Sequence, residues 1–385
     1  METDQAIQFM LELLRVMLKQ GASDLFITAG FPPAIKLHGK MTPMTADLLT
    51  PRQTQTLARS IMNDKQWKEF EATRECNFAI SPPGIGRFRA NCFLQQGRVG
   101  IVLRTITTEI PELDTLGLPP ILKEVVMNKT GLVLVVGGTG SGKSTTLAAM
   151  LGFRNSNSHG HIITIEDPIE YVHPHNNCLI TQREVGVDTD SWHAALKNTL
   201  RQAPDVILIG EVRDRETMEH AINFAETGHL ALSTLHANNA NQALDRIINL
   251  FPTEKRQQLL MDLSLNIRAI ISQRLLPRVG GGRVAAIEIL LKSPLISELI
   301  FKGEIHGIKE IMGKSREMGM QTFDQALFDL HQADLITYED ALRFADSANE
   351  IRLRIKLEGK ESKEREFKES VKGLNLVEKD PNIRK

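Results

Sequence analysis

A glycine-rich run near the middle of the chain has the residue types and spacing that hold a polyphosphate. It fits the pattern G-x-x-x-x-G-K-[ST] and consists of Gly137, Gly138, Thr139, Gly140, Ser141, Gly142, Lys143, Ser144 and Thr145. Glycines let backbone N–H groups converge on phosphate oxygens, while Lys143 neutralises phosphate charge and the Ser144 hydroxyl can coordinate Mg²⁺. An apolar strand at 131–136 and a helix at 145–151 are predicted on either side. The pattern predicts a nucleoside triphosphate site, and ATP is the default because no N-K-x-D guanine signature is present.

Two acidic segments follow predicted strands further along the chain. Glu211 comes soon after the apolar run 206–209, and a carboxylate at the end of a buried strand can hold Mg²⁺ directly or through water. The other segment places Glu166 and Glu170 on either side of Pro168. Either acid could face a phosphate and orient an attacking water. A solvated, helix-capping turn is the alternative, and the spacing alone favours it.

Histidines and arginines supply further candidate groups. His229 and His236 flank a predicted strand, and their odd separation places them on opposite faces, which argues against one shared metal ion. One of them could sense the γ-phosphate, although strand histidines are more often structural. Arg87, Arg89 and Arg104 lie on predicted strands in the first part of the chain. Arginines stabilise the charge of a transferred phosphoryl group, but solvated strand arginines are the commoner outcome of such spacing.

Regions of different pattern must position these groups. Residues 1–105 combine short strands with helices predicted at 6–18 and about 51–71, which is an α+β pattern. A proline- and glycine-containing stretch at 106–120 is predicted to be a linker. From 121 to 350, apolar strands alternate with helices, which is typical of a mainly parallel sheet. The fold class is therefore α/β.

The C-terminal part of the chain is mostly helical by its pattern. Helices are predicted over 253–277 and 293–346, with a strand at 284–290. Residues 351–385 hold 11 Lys or Arg against 7 Asp or Glu and no extended apolar face. This charged tail is expected to extend a helix and then fray, either as a solvated tail or as a docking segment.

Composition limits the classes of protein that this chain can be. Its 385 residues are 42% hydrophobic with a net charge of −1, so most of the chain can bury a core and no overall basic field points to nucleic acid. The three cysteines are far apart and form no zinc or disulfide pattern. No apolar run approaches the roughly 18–20 residues that span a bilayer. We therefore expect a cytoplasmic protein that meets a membrane only through partners.

Taken in order, four segments of the chain resemble the secretion ATPase superfamily, and within it the type IV pilus retraction ATPases of the PilT/PilU group. The four segments are 137–145, 165–170, 207–214 and 226–236. The stretches 19–25 and 281–286 also match, and the resemblance extends from residue 5 to about 345. It implies a homohexameric ring of subunits with an N-terminal PAS-like α+β domain. A RecA-like P-loop ATPase domain with a mainly parallel sheet and a helical C-terminal part follows.

The resemblance also assigns roles to individual residues. ATP and Mg²⁺ are the implied cofactors, with Lys143 and Ser144 binding phosphate and metal. Glu170 resembles the catalytic glutamate of the group, and Glu211 resembles the Walker B acid, which is also a metal ligand. The histidines at 229 and 236 fall on its His box, and Arg89 and Arg104 are the arginines expected to contact the γ-phosphate. The resemblance thus favours functional roles where spacing alone favoured structural ones.

Departures from the group pattern refine this expectation. Pilus-extension relatives carry a tetracysteine zinc motif that is absent here, which favours retraction. Where retraction ATPases carry Ala-Ile-Arg-Asn-Leu-Ile-Arg-Glu, residues 295–302 place Ser297 and Phe301 at the two arginine positions. That loss and the charged tail resemble the PilU subgroup. The implied partners are a paralogous retraction ATPase and an inner-membrane pilus platform protein, without nucleic acid and without a membrane span. The alternative function is an ATP-binding accessory ring with little turnover of its own.

Overall fold

The computed structural model describes residues 2–37, 40–106 and 109–358. The chain divides into two compact units. The first consists of Met1–Leu113 with Ser144–Ser233, and the second contains Asp114–Lys143 and the residues from Thr234 onward. Each unit is therefore built from separate stretches of chain. The boundary between Lys143 and Ser144 falls within the glycine-rich run.

An antiparallel sheet covered by helices forms the N-terminal part of the chain. The strand order is β3-β2-β1-β6-β5-β4, with every described pair antiparallel. The elements are α1 (Thr3–Lys19), β1 (Asp24–Ile27), β2 (Ala34–Leu37), β3 (Lys40–Pro43), α2 (Pro51–Ile61), α3 (Asp64–Thr73), β4 (Glu75–Ile80), β5 (Arg87–Gln95) and β6 (Arg98–Ile106). Helix α1 buries Met10, Leu13 and Met17 at helical spacing, so its apolar stripe joins the core that contains Phe78 and Phe88.

The second sheet has the order β13-β12-β7-β11-β10-β8-β9. The pairs β7–β12, β10–β11, β8–β10 and β8–β9 are parallel, and β12–β13 is antiparallel. The elements are α4 (Ile121–Val126), β7 (Gly131–Val136), α5 (Lys143–Asn157), β8 (Gly160–Glu166), β9 (Cys178–Glu184), α6 (Trp192–Thr199), β10 (Val206–Ile209), α7 (Arg215–Glu226), β11 (Leu230–Leu235), α8 (Ala240–Leu250), α9 (Arg256–Asn266), β12 (Ile267–Pro277) and β13 (Arg283–Leu291). Every residue of β7, β10 and β11 is buried, as their continuous apolar runs predict.

Helices follow the second sheet. They are α10 (Pro294–Lys302), α11 (Ile308–Lys314), α12 (Phe323–Gln332), α13 (Tyr338–Phe344) and α14 (Ala348–Glu358), in agreement with the helical pattern predicted from 293 onward. The charged tail beyond α14, residues 359–385, lies outside the described residues. Among the described helices, none combines the length and apolar character that crossing a bilayer requires.

The helix predicted over 253–277 was wrong in its second half. Residues 256–266 form α9, but Ile267–Pro277 form β12, which lies between β7 and β13. Most of β12 is buried, and its apolar residues come in short runs without strict alternation. Periodicity cannot distinguish such a strand from a buried helix, and only pairing with β7 and β13 decides the outcome.

The helix predicted over about 51–71 is also two helices. Helix α2 ends at Ile61, and α3 begins at Asp64. Asn63 separates them because its side chain accepts a hydrogen bond from the backbone N–H of Gln66, while the Gln66 side chain accepts one from the Asn63 N–H. This reciprocal capping box starts a new helix inside an otherwise continuous amphipathic pattern.

Candidate nucleotide site

The glycine-rich loop connects β7 to α5 and has no room for side chains at two of its glycines. A Cβ at Gly137 would lie 2.4 Å from Ser141 Oγ and 2.5 Å from the backbone oxygen of Gln273. At Gly142, φ is +91°, and a Cβ would lie 2.7 Å from Gln273 Nε2. Glycine therefore lets the loop pack closely against Gln273 of β12 at these positions. The motif thus lies in the turn between a buried strand and a helix, as the sequence predicts.

Lys143 opens α5 and folds back over the loop. Its Nζ donates hydrogen bonds to the backbone oxygens of Gly137, at 3.0 Å, and Gly138, at 2.8 Å. The N-terminal end of α5 carries the positive end of the helix dipole, which favours an anion at this position. Ser144 and Thr145 follow in the first turn, and Thr145 Oγ1 is 2.9 Å from the Tyr171 hydroxyl. The ammonium group and the helix end thus place positive charge at the loop.

The structure distinguishes the two candidate acids of the segment after β8. Glu166 is partly buried, and its Oε1 accepts hydrogen bonds from Thr164 Oγ1 at 2.6 Å and Gln182 Nε2 at 3.2 Å. Burial raises the pKa of Glu166, although these hydrogen bonds oppose the shift. Glu170 lies beyond the cis Asp167–Pro168 peptide, and its side chain is 55% exposed. Only Glu170 therefore presents a largely exposed carboxylate.

Arg89 and Arg87 of β5 face acids of the first unit. Arg89 Nη2 is 4.0 Å from Glu170 Oε1, and Arg87 Nη2 is 3.5 Å from Glu184 Oε2. Burial raises the pKa of Glu184, against the opposing influence of the Ile169 N–H and the two arginines. The buried Nε atoms of both arginines have no hydrogen-bond acceptor among the described residues. Arg89 and Glu170, which the sequence analysis identified separately as candidate site residues, therefore lie close together in the structure.

Arg104 has a partner within its own sheet. It is the cross-strand neighbour of Arg89 between β5 and β6, and also of Asp24 between β1 and β6. Its Nε donates to Asp24 Oδ1 at 2.7 Å, while its side chain is 64% exposed. The guanidinium therefore pairs with Asp24 and still presents donors to solvent.

The acid after β10 is linked to the Asp-Pro turn by an arginine that sequence reasoning did not select. Arg213 Nε donates to Glu211 Oε2 at 2.9 Å, and Arg213 Nη1 is 3.7 Å from Asp167 Oδ2. The Gly210 N–H also donates to the Ile165 oxygen, so the ends of β8 and β10 lie side by side. Arg213 lies in the segment 207–214, which resembles the secretion ATPases. That resemblance was the sequence signal that could have pointed to this arginine.

The two strand histidines have different surroundings. His229 Nδ1 is 3.2 Å from the Phe224 backbone oxygen and 3.1 Å from Thr227 Oγ1, so this side chain closes the C-terminal end of α7. His236 follows β11 and lines a cavity of about 400 Å³, a volume within the range of small-molecule sites. The remaining lining residues are Gly138, Ala237, Asn238, Gln242 and Arg246. His236 therefore shares a cavity with the phosphate loop.

Comparison with known proteins gives a consistent result. A family model described as type II/IV secretion system protein matches residues 2–282. The type IV pilus ATPase PilU of Pseudomonas aeruginosa is 59% identical over 366 residues, which cover 95% of this chain and 96% of that protein. The type IV pilus retraction ATPase PilT of the same organism is 44% identical over 330 residues, covering 86% of this chain and 96% of that protein.

Solved structures resemble the whole described fold. The crystal structure of the pilus retraction motor PilT with bound ADP has a TM-score of 0.84 at 44% identity, covering 89% of this chain and 98% of that chain. The ATPase DotB of Legionella pneumophila has a TM-score of 0.77 at 28% identity, covering 87% and 94%. These similarities confirm the predicted fold class, a PAS-like α+β domain followed by a RecA-like P-loop ATPase domain.

Proposed function

Because this chain belongs to the type II/IV secretion system protein family, and within it to the PilT/PilU group, we propose that it hydrolyses ATP to drive or assist retraction of a type IV pilus. The chain is an ATPase. One observation carries the proposal for its own turnover. The Glu170 carboxylate is exposed and 4.0 Å from Arg89, while the neighbouring Glu166 carboxylate is held in hydrogen bonds.

The loop residues 137–145 bind the phosphates in this proposal. Lys143 exchanges its hydrogen bonds to the loop carbonyls for stronger, charge-assisted contacts with phosphate oxygens. Ser144 and Glu211 are the residues that would hold Mg²⁺, which neutralises phosphate charge when bound. Their hydroxyl and carboxylate oxygens are the ligand types that Mg²⁺ prefers. Arg213 orients the Glu211 carboxylate through its hydrogen bond to Oε2.

Glu170 and the arginines act on the reacting phosphate. Glu170 accepts the proton of the attacking water, a role that needs an accessible carboxylate within reach of the water. Arg89 balances the charge that develops on the transferred phosphoryl group. Its buried Nε has no hydrogen-bond acceptor within the described part of the chain, which supports this role. Arg104 is the second arginine for the γ-phosphate, using the donors that Asp24 does not occupy.

The histidines differ in how they serve the site. We assign His236 to sensing the γ-phosphate, supported by the cavity that it lines together with Gly138 of the loop. His229 fixes the start of β11 through its bonds at the end of α7, and in this proposal its other ring nitrogen carries the family's His-box role.

The assembly that we propose is a homohexameric ring at the cytoplasmic face of the inner membrane. Its partners are a paralogous retraction ATPase and a pilus platform protein in the membrane. Pseudomonas aeruginosa contains both a PilU and a PilT that resemble this chain, which supports a pair of paralogues acting together. Closure of the ring subunits around ATP would convert hydrolysis into movement of the platform.

An accessory ring with little turnover is the second candidate function. Helix α10 carries Phe301 at a position where retraction ATPases have an arginine. Phe301 is 52% exposed. Leu295 on the same helix is 45% exposed. An exposed apolar side chain in place of a positive charge favours contact with another protein over an independent motor cycle.

Retraction in living cells distinguishes the two functions. A strain lacking this chain is complemented with wild type, Glu170→Gln or the control Glu12→Gln, which changes an exposed acid on α1. Each is measured with the paralogue present and absent. The motor function predicts that only Glu170→Gln fails to restore retraction force. Full restoration by Glu170→Gln in the presence of the paralogue contradicts it and supports the accessory ring.

A further inference from the structure

Two histidines and a glutamate that have no part in the proposed nucleotide site meet on the surface of the first unit. His193 lies in the first turn of α6, and Glu216 and His220 lie one turn apart on α7. One ligand atom from each side chain lies within 4.8 Å of the other two. His193 Nδ1 contacts the Glu216 carboxylate, and the His193 and His220 rings are 6.3 Å apart between centroids.

These three side chains form a donor set that suits a transition metal. A tetrahedral zinc ion with bonds of about 2.0–2.2 Å holds its ligand atoms roughly 3.3–3.6 Å apart. The observed limit of 4.8 Å exceeds these separations by little more than an ångström, a difference on the scale of side-chain adjustment. Imidazole nitrogens favour Zn²⁺, Co²⁺ or Ni²⁺ over Mg²⁺ or Ca²⁺.

The three candidate ligands come from two helices. This arrangement is a more specific indication of a metal site than two residues one turn apart on a single helix. Glu216 and His220 are four residues apart, so both side chains project from the same face of α7. His193 comes from the separate helix α6, which packs against α7. A metal bound by all three would therefore cross-link the two helices.

We propose that His193, Glu216 and His220 form a surface site for one divalent transition-metal ion, with Zn²⁺ as the preferred metal. The ion would tie α6 to α7, with water in the remaining coordination position. His193 and Glu216 have side-chain exposures of 58% and 56%, so the ion can enter directly from solvent. No residue assigned to ATP hydrolysis belongs to this site, so the proposal is independent of the proposed function.

Metal titration of the full-length chain tests the site. The chain is purified without a histidine tag, stripped with EDTA and dialysed, and Co²⁺ is then added while the visible absorption of bound cobalt is followed. Zn²⁺ competition gives the affinity for zinc. The variants His193→Gln and His220→Gln remove one imidazole each, and His306→Gln and His159→Gln change exposed histidines outside the set. Glutamine preserves size and polarity, and far-ultraviolet circular dichroism verifies the fold.

The expected result is one bound Co²⁺ per chain for the wild type and both controls, displaced by one equivalent of Zn²⁺. His193→Gln and His220→Gln should each weaken binding by at least about tenfold, since losing a ligand costs more than losing its supporting partner. Zn²⁺ should raise the melting temperature of the wild type and of both controls, but not that of His193→Gln or His220→Gln. Equal binding by all the chains, or no binding by the wild type at 100-fold excess metal, would overturn the proposal.

Discussion

A buried carboxyl group in the second unit gives a prediction about stability with a magnitude. Glu288 lies on β13, is 2% exposed, and faces Ser272 across the β12–β13 pair. Its Oε1 accepts hydrogen bonds from Ser272 Oγ at 2.9 Å and from the Ala240 N–H, at the start of α8, at 2.7 Å. Burial raises the pKa of Glu288 from 4.5 to about 7, although these two hydrogen bonds lower it in part.

The sign of the pH dependence follows from this raised pKa. Between pH 4.5 and 7 the folded chain keeps a proton on Glu288 that the unfolded chain has lost, so stability falls as pH rises. The contribution of the protonated group is fully present below pH 4.5 and is lost as pH rises through about 7. The total loss is about 3–4 kcal/mol, from a difference of about 2.5 pKa units at roughly 1.4 kcal/mol each.

The variant Glu288→Gln removes this dependence and keeps the side-chain oxygen that accepts both hydrogen bonds. We therefore expect the free energy of unfolding of the variant, relative to wild type, to rise by about 2–3 kcal/mol between pH 5 and 8. Urea unfolding of the nucleotide-free chain at half-unit pH steps measures it. Glu317→Gln, which changes an exposed acid in the same unit, is the control and should show no such trend. A difference between wild type and Glu288→Gln that stays flat across this range would refute the argument from burial.

The remaining predictions concern the nucleotide site. Lys143→Ala should lower ATP turnover by about 100-fold or more in a phosphate-release assay, and turnover like that of wild type would remove Lys143 from the site. Gly142→Ala should weaken nucleotide binding by about tenfold, because positive φ costs alanine about 1–2 kcal/mol. The double variant with Gln273→Ala should not recover wild-type affinity in fluorescent-nucleotide titrations, and full recovery would show that collision with Gln273 is the whole cause. Arg89→Gln should lower kcat at least about tenfold with little change in nucleotide affinity, whereas Arg98→Gln, an exposed change near the end of the β5–β6 hairpin, should leave both unchanged.

The strand, loop and helix that carry the proposed phosphate site were predictable because local sequence determines them. A strand, a glycine-rich turn and a helix place Lys143 and Ser144 without help from distant residues, and β7 has the predicted bounds. The choice between Glu166 and Glu170 was not predictable from spacing. It depends on Gln182, a residue of β9 that hydrogen-bonds to Glu166.

Features that depend on contacts between distant segments were not predicted, because local sequence does not determine those contacts. The strand β12 has a pattern that also fits a buried helix, and the pairing with β7 that decides between them joins residues far apart in the chain. His193 is 23 residues from Glu216, so their contact follows from the packing of α6 against α7. Only the pair Glu216 and His220, one helical turn apart, carried a local signal.

The most direct test of the central claim is the rate of ATP hydrolysis by the purified chain and by Glu170→Gln, with the oligomer size measured in the same samples. We predict turnover by a hexamer, a loss of about 100-fold or more in Glu170→Gln, and ATP binding retained by that variant. A hexamer that binds ATP and scarcely hydrolyses it, or a Glu170→Gln chain that turns over like wild type, would contradict it.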